Sequence, residues 1–293
     1  MKWDIRDKIC VITGATTGIG RATAEALAAR GAQVILLVRN REKGEAVQKA
    51  IQAKTGKSDV GLVVADLGAQ REVRRAAAEI LAGWPRLDVL INNAGAFNTE
   101  RTETADGIET TFAVNHLAYF LLTEILLERL EACAPSRIIN VASDAHSRGR
   151  MRFEDLEGKQ AFSGPASYCQ SKLANVLFTR ELARRLEGTG VTANCLHPGV
   201  IASGFALNAS GPWNWFFRWA RPFLLTSEQG AATTIHLACA PELSNVSGKY
   251  FEKSRERRPA ARAANDADAR RLWEISEAMT RRDPGLPAAS RRD

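Results

Sequence analysis

The chain has few cysteines for its 293 residues, and their spacing suits neither a metal site nor a disulfide framework. The five are scattered and odd in number: Cys10, Cys133, Cys169, Cys195 and Cys239. The chain also lacks an apolar run of the roughly 18 residues that a membrane-spanning helix needs. Residues 1–8 are charged and have no hydrophobic segment typical of a targeting signal. These absences predict a cytoplasmic protein in a reducing environment, with no metal.

Acidic residues are fewer than basic ones, and the net charge is +7. Much of the basic excess falls late, in arginine pairs between residues 255 and 292. No basic stripe accompanies a nucleic-acid-reading module, so we expect no nucleic-acid partner. We interpret residues 253–293 as a solvated basic C-terminal extension, with attraction to an anionic membrane surface as the alternative. No linker or repeat precedes this extension, which favours a single domain over residues 1–293.

Short apolar segments typical of buried strands alternate with helix patterns along the chain. Strands are predicted at residues 9–12, 33–38, 60–64, 87–91, 137–141 and 191–196, and helices at 21–30, 71–82, 111–130 and 168–186. The alternation predicts an α/β fold in which a mainly parallel sheet has helices on both faces. Ligands of such sheets bind outside the carboxyl ends of the strands. The polar and glycine-rich segments at those ends should therefore meet in one crevice.

A glycine-rich loop, residues 13–20, joins the first predicted strand to the first helix. Its glycines would let the backbone approach a dinucleotide pyrophosphate, and the helix start offers free N–H groups. The spacing Gly-x3-Gly-x-Gly differs from the common Gly-x-Gly-x-x-Gly, although the order of strand, loop and helix is the same. The candidate cofactor residues of this loop are Gly14, Thr16, Thr17, Gly18, Ile19 and Gly20.

The end of the second predicted strand bears on the choice between NAD and NADP. An NAD site places an acidic residue there, about 20 residues beyond the glycine loop, to bind the ribose hydroxyls. This strand is followed by Arg39, Asn40 and Arg41, with no acid. Because an arginine suits the ribose 2′-phosphate, we predict NADP(H) as the cofactor, with Arg39 and Asn40 at its adenosine end.

Tyr168 and Lys172 are four residues apart, which places them on one face of the predicted helix. A lysine ammonium beside a phenol favours the phenolate and would lower its pKa from the ordinary value of about 10. A tyrosine tuned in this way can donate or accept a proton during catalysis. The spacing alone is also that of a solvated pair on a helix surface. The neighbouring strand ends favour the catalytic interpretation.

Taken together, these motifs resemble the classical short-chain dehydrogenase/reductase family over nearly the whole chain. The matching segments are Thr13-Gly14-x3-Gly18-Ile19-Gly20, Asn92-Asn93-Ala94-Gly95, Asn115, Ser143, Tyr168-x3-Lys172 and Pro198-Gly199. Within the family, residues 114–117, 171–178 and 196–200 look most like the retinol dehydrogenase-like subfamily. The resemblance implies a single doubly wound Rossmann-type domain with a seven-stranded sheet, and assembly as a homo-dimer or tetramer.

The resemblance also implies roles for single residues. Tyr168 would act as the acid and base, and Lys172 would lower its pKa and hold the nicotinamide ribose. Ser143 would bind the substrate oxygen, and Asn115 would position a water between Lys172 and solvent. Other residues near the cofactor would be Asp66, Leu67, Asn93, Ala94, Gly95, Val141, Pro198, Gly199, Val200 and Ser203, the last where threonine is usual. Asn92 would tie strands together.

Residues 211–225 are the most aromatic part of the chain. Trp213, Phe216, Phe217 and Ala220 are spaced to share one helical face. The segment follows Pro198-Gly199, where the family places its substrate lid, so we expect a lid at about residues 203–226 and a bulky lipophilic substrate. Two alternatives stay open: peripheral contact with a membrane surface, or packing against the core or a dimer partner.

These features predict an NADP-dependent oxidoreductase that interconverts lipophilic aldehydes or ketones and their alcohols. Retinal and retinol are the leading substrates, and steroids or other hydrophobic carbonyls are the alternative. A non-catalytic NADP-binding regulatory or scaffold protein is the second hypothesis. The full set Asn115, Ser143, Tyr168 and Lys172 argues against it.

Overall fold

The computed structural model describes residues 3–56, 59–199 and 225–281, and one sheet runs through this part of the chain. Its strands are β1 Ile9–Thr13, β2 Gln33–Val38, β3 Gly61–Val64, β4 Val89–Asn92, β5 Ser136–Val141, β6 Val191–His197, β7 Tyr250–Glu252 and β8 Arg255–Arg257. Their order in the sheet is β3-β2-β1-β4-β5-β6-β7-β8. The first seven run parallel, and β8 is antiparallel to β7. The order reverses between β1 and β4, the place where such sheets bind ligands.

Helices cover both faces of the sheet, as the alternating pattern predicts. They are α1 Gly18–Ala29, α2 Arg41–Thr55, α3 Gln70–Gly83, α4 Thr110–Ala132, α5 Gly164–Arg185, α6 Ser227–Cys239 and α7 Asp266–Thr280. One apolar core lies between the sheet and α1, α2 and α6, and a second lies between the sheet and α3, α4 and α5. The α/β prediction of a doubly wound, mainly parallel sheet is therefore confirmed.

The predicted strand count of seven is wrong, because the sheet already has eight strands within residues 3–56, 59–199 and 225–281. The additional strand is the edge strand β8, which consists of three exposed charged residues. An edge strand with no buried face lacks the apolar pattern by which strands are recognised in a sequence. Charged residues on such an edge also discourage pairing with another chain.

Helix α4 is long and apolar enough to cross a membrane by length and composition, although polar residues interrupt its apolar sequence. Of the most apolar 18 residues of this helix, 72% are buried inside the protein. Its Phe120, Leu122 and Leu126 belong to the core beneath the sheet. The helix therefore has the burial of a core helix. Part of it, Ala113–Leu117, is a π-helical segment, a distortion that often marks a functional position.

The predicted C-terminal extension is, as far as residue 281, an integral part of the domain. Asn265 caps α7 by accepting hydrogen bonds from the backbone N–H groups of Ala267 and Asp268, at 3.0 and 3.2 Å. The α7 side chain Trp273 is buried, and its ring lies 4.9 Å from that of Phe120 and 5.9 Å from that of Phe178. Helix α7 thus covers the surface where α4 and α5 meet.

Candidate active site

The glycine loop is held against the end of β4 by the side chain of Thr13. Its hydroxyl oxygen accepts hydrogen bonds from the backbone N–H groups of Asn93 and Ala94, at 2.8 and 2.9 Å. The Asn93 side chain in turn donates to the carbonyl oxygen of Thr13 at 2.8 Å. These bonds bring two predicted cofactor segments together at the carboxyl edge of the sheet. The sequence analysis missed the bridging role of Thr13, which its place as the last residue of β1 could have suggested.

The glycines of the loop are required by the backbone itself. Gly14 and Gly18 have φ angles of +68° and +57°, in the region that favours glycine. Gly20 has an ordinary φ but no room for a side chain. A Cβ there would lie 2.4 Å from the carbonyl oxygen of Gly14 and 2.5 Å from Nδ2 of Asn93.

The start of α1 is open to an anionic ligand. Its N-cap residue, Thr17, has an extended backbone and makes no side-chain cap hydrogen bond, and the first turn carries no acidic residue. The first N–H groups of a helix have no partners within it and carry a positive partial charge. Thr16 and Ile19 are half-buried beside them. Pyrophosphate binding at this end of α1 stays a prediction, and the free N–H groups are what it would require.

At the end of β2, Arg39 and Asn40 are both exposed, but they are used differently. The Asn40 side chain caps α2 by accepting from the backbone N–H of Lys43 at 2.9 Å. Arg41 forms a long ion pair of 3.8 Å with Glu45 on the next turn. The guanidinium of Arg39 is therefore the better placed of these groups to meet a phosphate at this edge.

At the end of β3, the exposed Asp66 accepts a hydrogen bond from the backbone N–H of Gly68 at 2.9 Å, which shapes the turn before α3. The neighbouring Leu67 is buried in the core. Asn92, at the end of β4, donates to Asn140 of β5 at 2.9 Å and to Thr123 of α4 at 3.1 Å. The structural role predicted for Asn92, tying strands together, is therefore confirmed.

Asn115 lies in the π-helical segment of α4 and is fully buried. Its side chain accepts from the N–H of Ala96 at 2.7 Å and donates to the carbonyl oxygen of Ala96 at 3.0 Å. It also donates to the hydroxyl of Ser171 at 3.0 Å. Asn115 therefore braces the loop after β4 against α5, one residue from Lys172. Ser171, which mediates this contact, is not among the predicted site residues. The predicted positioning of a water by Asn115 stays a prediction.

Ser143 and Tyr168 meet through their side chains, which are hydrogen-bonded to each other. Ser143 follows β5 and caps the short helical turn Asp144–Arg148 by accepting from the backbone N–H of Ala145 at 3.2 Å. The tyrosine ring packs edge-on against Phe97, with ring centres 5.7 Å apart. Two hydroxyl groups thus lie together at the carboxyl edge of the sheet, on α5 and on the loop after β5.

Lys172 is buried on the same helical face. Its amine donates to the carbonyl oxygen of Val141 at 2.9 Å and lies 5.8 Å from the centre of the Tyr168 ring. Burial lowers the pKa of this amine to about 7. Val141 therefore serves to orient the lysine.

The expectation that Lys172 brings the phenol of Tyr168 towards neutral pH is wrong for this arrangement. Burial raises the Tyr168 pKa to about 12, and the hydrogen bond from Ser143 opposes that rise only in part. The reason is that the same burial disfavours the lysine cation, so the amine supplies less positive charge than an exposed ammonium would. Both groups are mainly uncharged between their two pKa values.

The residues after β6 are the last described ones at the carboxyl edge of the sheet. Pro198 and Gly199 are half-buried, and Gly199 has a φ of +90°. Val200, Ser203, most of the predicted lid and the aromatic segment up to residue 224 lie outside the described residues. The other predicted site residues lie at the carboxyl ends of β1 to β6 or on α1, α4 and α5. Among the described residues, no group of three or more His, Cys, Asp or Glu side chains could hold a metal ion.

The sheet order and these strand-end residues define a dinucleotide-binding oxidoreductase, and comparison with known proteins identifies its family. The family model described as short chain dehydrogenase matches residues 8–211. The chain belongs to this family and is an oxidoreductase that acts on CH–OH donors.

Individual relatives show which members of the family this chain is similar to. Retinol dehydrogenase 12 of Mus musculus is 46% identical over 272 residues, which cover 93% of this chain and 86% of the relative. A crystal structure of an uncharacterized protein from Mycobacterium paratuberculosis aligns with a TM-score of 0.76 and 32% identity, over 98% of this chain and all of the other. A short chain dehydrogenase from Burkholderia cenocepacia in complex with NADP aligns with a TM-score of 0.69 and 27% identity, over 85% and 97% of the two chains. The predicted retinol dehydrogenase-like character is confirmed.

Proposed function

We propose that this oxidoreductase uses NADP(H) to interconvert lipophilic aldehydes or ketones and their alcohols, with Tyr168 as the acid and base. Retinal and retinol are the leading substrate pair. The observation that carries the proposal is the hydrogen-bonded pair of Ser143 and Tyr168, with the buried amine of Lys172 on the same face of α5. A carbonyl oxygen placed between the two hydroxyls would meet two hydrogen-bond donors.

The cofactor assignment is supported by two features of the chain and by one relative. The open start of α1 and the glycine backbone at positions 14, 18 and 20 fit a pyrophosphate. The three residues that follow β2 include no acid, and the exposed Arg39 suits the 2′-phosphate of NADP(H). The Burkholderia cenocepacia relative was solved in complex with NADP. When bound, the nicotinamide would supply or accept the hydride.

The proton chemistry of the chain's own residues follows from their pKa values. With a pKa of about 12, the Tyr168 phenol is protonated at neutral pH and can donate its proton to a substrate oxygen that gains negative charge. Ser143 accepts from the N–H of Ala145, and its own hydroxyl proton, which it donates to Tyr168 in this structure, would turn to the substrate oxygen when a carbonyl is bound. Lys172, with a pKa of about 7, can return a proton to the tyrosine at neutral pH.

The substrate proposal is supported by the likeness to retinol dehydrogenases and by the aromatic composition of residues 211–225. Hydrophobic carbonyls such as steroids remain the alternative substrate class. The family match and the presence of both hydroxyls beside Lys172 do not favour a non-catalytic scaffold. Peripheral membrane contact through residues 211–225 and assembly as a dimer or tetramer stay predictions.

The test is steady-state reduction of all-trans-retinal with NADPH and, in parallel, with NADH. We expect turnover that strongly favours NADPH, and we expect Tyr168→Phe to keep NADPH binding while losing most turnover. The matched control is Tyr250→Phe, which removes a phenol hydroxyl from β7. Equal efficiency with both cofactors would refute the NADP assignment, and near-normal turnover of Tyr168→Phe would refute the mechanism. Turnover of a steroid ketone without turnover of retinal would change the proposed substrate class and leave the proposed mechanism and cofactor unaffected.

A further inference from the structure

His146 is buried directly behind the loop that carries Ser143. Its Nδ1 lies 2.7 Å from the carbonyl oxygen of Ser143, and its Nε2 lies 3.1 Å from the backbone nitrogen of Ala260. Ala260 follows β8, more than a hundred residues along the chain. One imidazole ring therefore joins the loop after β5 to the C-terminal part of the domain.

These two contacts fix the tautomer of His146. The backbone N–H of Ala260 can only donate, so Nε2 accepts and carries no proton. The neutral ring must then carry its proton on Nδ1, where it is donated to the carbonyl oxygen of Ser143. His146 thus acts as a directional link, from the Ala260 N–H through the ring to Ser143.

Other contacts show that the link is one part of a brace. The ring of His146 packs against Tyr250 of β7, with ring centres 4.8 Å apart. The Arg262 guanidinium donates to the carbonyl oxygen of Gly149 at 3.1 Å. The N–H of Gly149 donates to the carbonyl oxygen of His146, also at 3.1 Å. Residues 260–262 therefore hold both ends of the short turn that follows Ser143.

We propose that His146 is a positioning residue for the reaction and that residues 260–262 set the orientation of the Ser143 hydroxyl through it. The inference rests on the proposed function, because it assigns Ser143 to the substrate oxygen. The Ser143 hydroxyl is held from one side by the N–H of Ala145, within the same turn. If the turn shifts, that N–H moves, and the Ser143 hydroxyl no longer points at the substrate oxygen. Misplacement of a catalytic group by a fraction of an ångström slows the chemical step more than it weakens binding.

Two substitutions separate the two ends of the link. In His146→Asn, the side-chain amide can occupy the place of Nδ1 and still donate to Ser143, but it does not reach Ala260. In His146→Gln, the longer side chain reaches towards Ala260 and no longer donates to the carbonyl oxygen of Ser143, which keeps the backbone N–H of His146 as a donor at 3.1 Å. We expect kcat to fall about tenfold or more in both variants, since each breaks one end of the link, with KM little changed. His236→Gln on α6 is the matched control and should behave as wild type.

The Ala260 end can be tested without touching the histidine. Ala260 has a φ of −56°, which proline adopts, so Ala260→Pro keeps this backbone angle. It removes the N–H that Nε2 accepts and puts a ring methylene group in its place against the imidazole. Ala260→Ser keeps that N–H and is the control. We expect hydrogen exchange at the amides of Ala145, His146 and Gly149 to become about tenfold faster in Ala260→Pro and to stay unchanged in Ala260→Ser. Unchanged exchange in both variants would overturn the proposal.

A double-mutant cycle decides whether His146 acts through Ser143. The loss of kcat caused by His146→Gln should vanish in a Ser143→Ala background if the histidine works only by placing the serine hydroxyl. An equal loss in both backgrounds, with a matching fall in thermal stability, would show a merely structural role and overturn the inference. Wild-type turnover on carbonyls is measured first and tests the proposed function alone. The hydrogen-exchange comparison decides the inference even if that turnover is absent.

Discussion

Replacing Gly20 by alanine adds a single methyl group at the most crowded point of the glycine loop. The new Cβ would lie 2.4 Å from the Gly14 carbonyl oxygen, 2.5 Å from Nδ2 of Asn93 and 2.9 Å from the Gly14 carbonyl carbon. Favourable contacts between such atoms begin at about 3.5 Å, so the loop must move by about 1 Å. Gly14 cannot yield easily, because its N–H is bonded to the carbonyl oxygen of Leu37 at 2.9 Å. Asn93 is likewise tied to Thr13 at 2.8 Å.

Overpacking of this kind costs about 1–3 kcal/mol, while the better helix propensity of alanine returns about 1 kcal/mol at most. We therefore expect Gly20→Ala to lower the free energy of unfolding by up to about 2 kcal/mol. The loss of NADPH affinity should be larger, because the displaced loop is the surface that the pyrophosphate would contact. A decrease of at least about tenfold, equivalent to about 1.4 kcal/mol, is expected.

Gly83 provides a matched control, since it is also helical and nothing lies within 4 Å of its added Cβ. Gly83→Ala should leave NADPH affinity unchanged and raise the free energy of unfolding by up to about 1 kcal/mol. Urea unfolding and NADPH fluorescence titration measure the two quantities on the same samples. If Gly20→Ala binds NADPH within twofold of wild type and is equally stable, the reasoning about this loop fails.

Three further predictions concern the cofactor, the buried lysine and the C-terminal helix. Arg39→Asp should shift the preference from NADPH towards NADH by about a hundredfold in kcat/KM, since it replaces the phosphate partner by a ribose-hydroxyl partner; an unchanged ratio would exclude this role. The pKa of Lys172 is about 7 when folded and about 10.4 when unfolded, so the unfolded chain binds the extra proton between these values. Stability should therefore rise with pH between about 7 and 8.5, by up to about 1.4 kcal/mol per unit, below the range in which the buried thiols of Cys10 and Cys195, whose pKa values burial raises, oppose the rise. Urea unfolding should show this slope in wild type and in Lys159→Met but not in Lys172→Met. Trp273→Ala should cost about 3–5 kcal/mol of unfolding free energy and Trp273→Phe much less; equal melts for the two variants would show that α7 is not part of the cooperative domain.

Most of the strand-end chemistry could be predicted from the sequence because it is encoded locally. The glycines of the loop, Asn93 and Tyr168 each follow an apolar strand or lie on a helix with a clear pattern, and parallel topology then brings them to one edge. The position of Lys172 one turn after the tyrosine is also a local fact. The α/β architecture follows from the same alternation of periodicities.

The features that the sequence analysis missed depend on contacts between distant segments. Strand β8 has only exposed charged residues, so no apolar pattern marks it. Residues 253–281 were interpreted as a solvated extension because of their arginines, whereas Trp273 and Ser276 of this region are buried. The contact between His146 and Ala260 joins residues 114 positions apart in the chain, so no local pattern marks it. Such pairings can be found only once the sheet and helices are placed.

The sign of the Tyr168 pKa shift also needed the structure, and it changes the description of the site. From the spacing alone, a lysine beside a tyrosine predicts a phenolate that forms easily. Burial acts on both groups, however, and moves the pKa of Tyr168 up to about 12 and that of Lys172 down to about 7. Between these values the chain holds a neutral phenol and a mainly neutral amine, so the tyrosine is ready to donate a proton and is a poor base. At neutral pH the phenol is therefore protonated, the state from which Tyr168 would donate a proton in the proposed reduction. Alcohol oxidation requires additional positive charge near the phenol, which Lys172 supplies only when it is itself protonated.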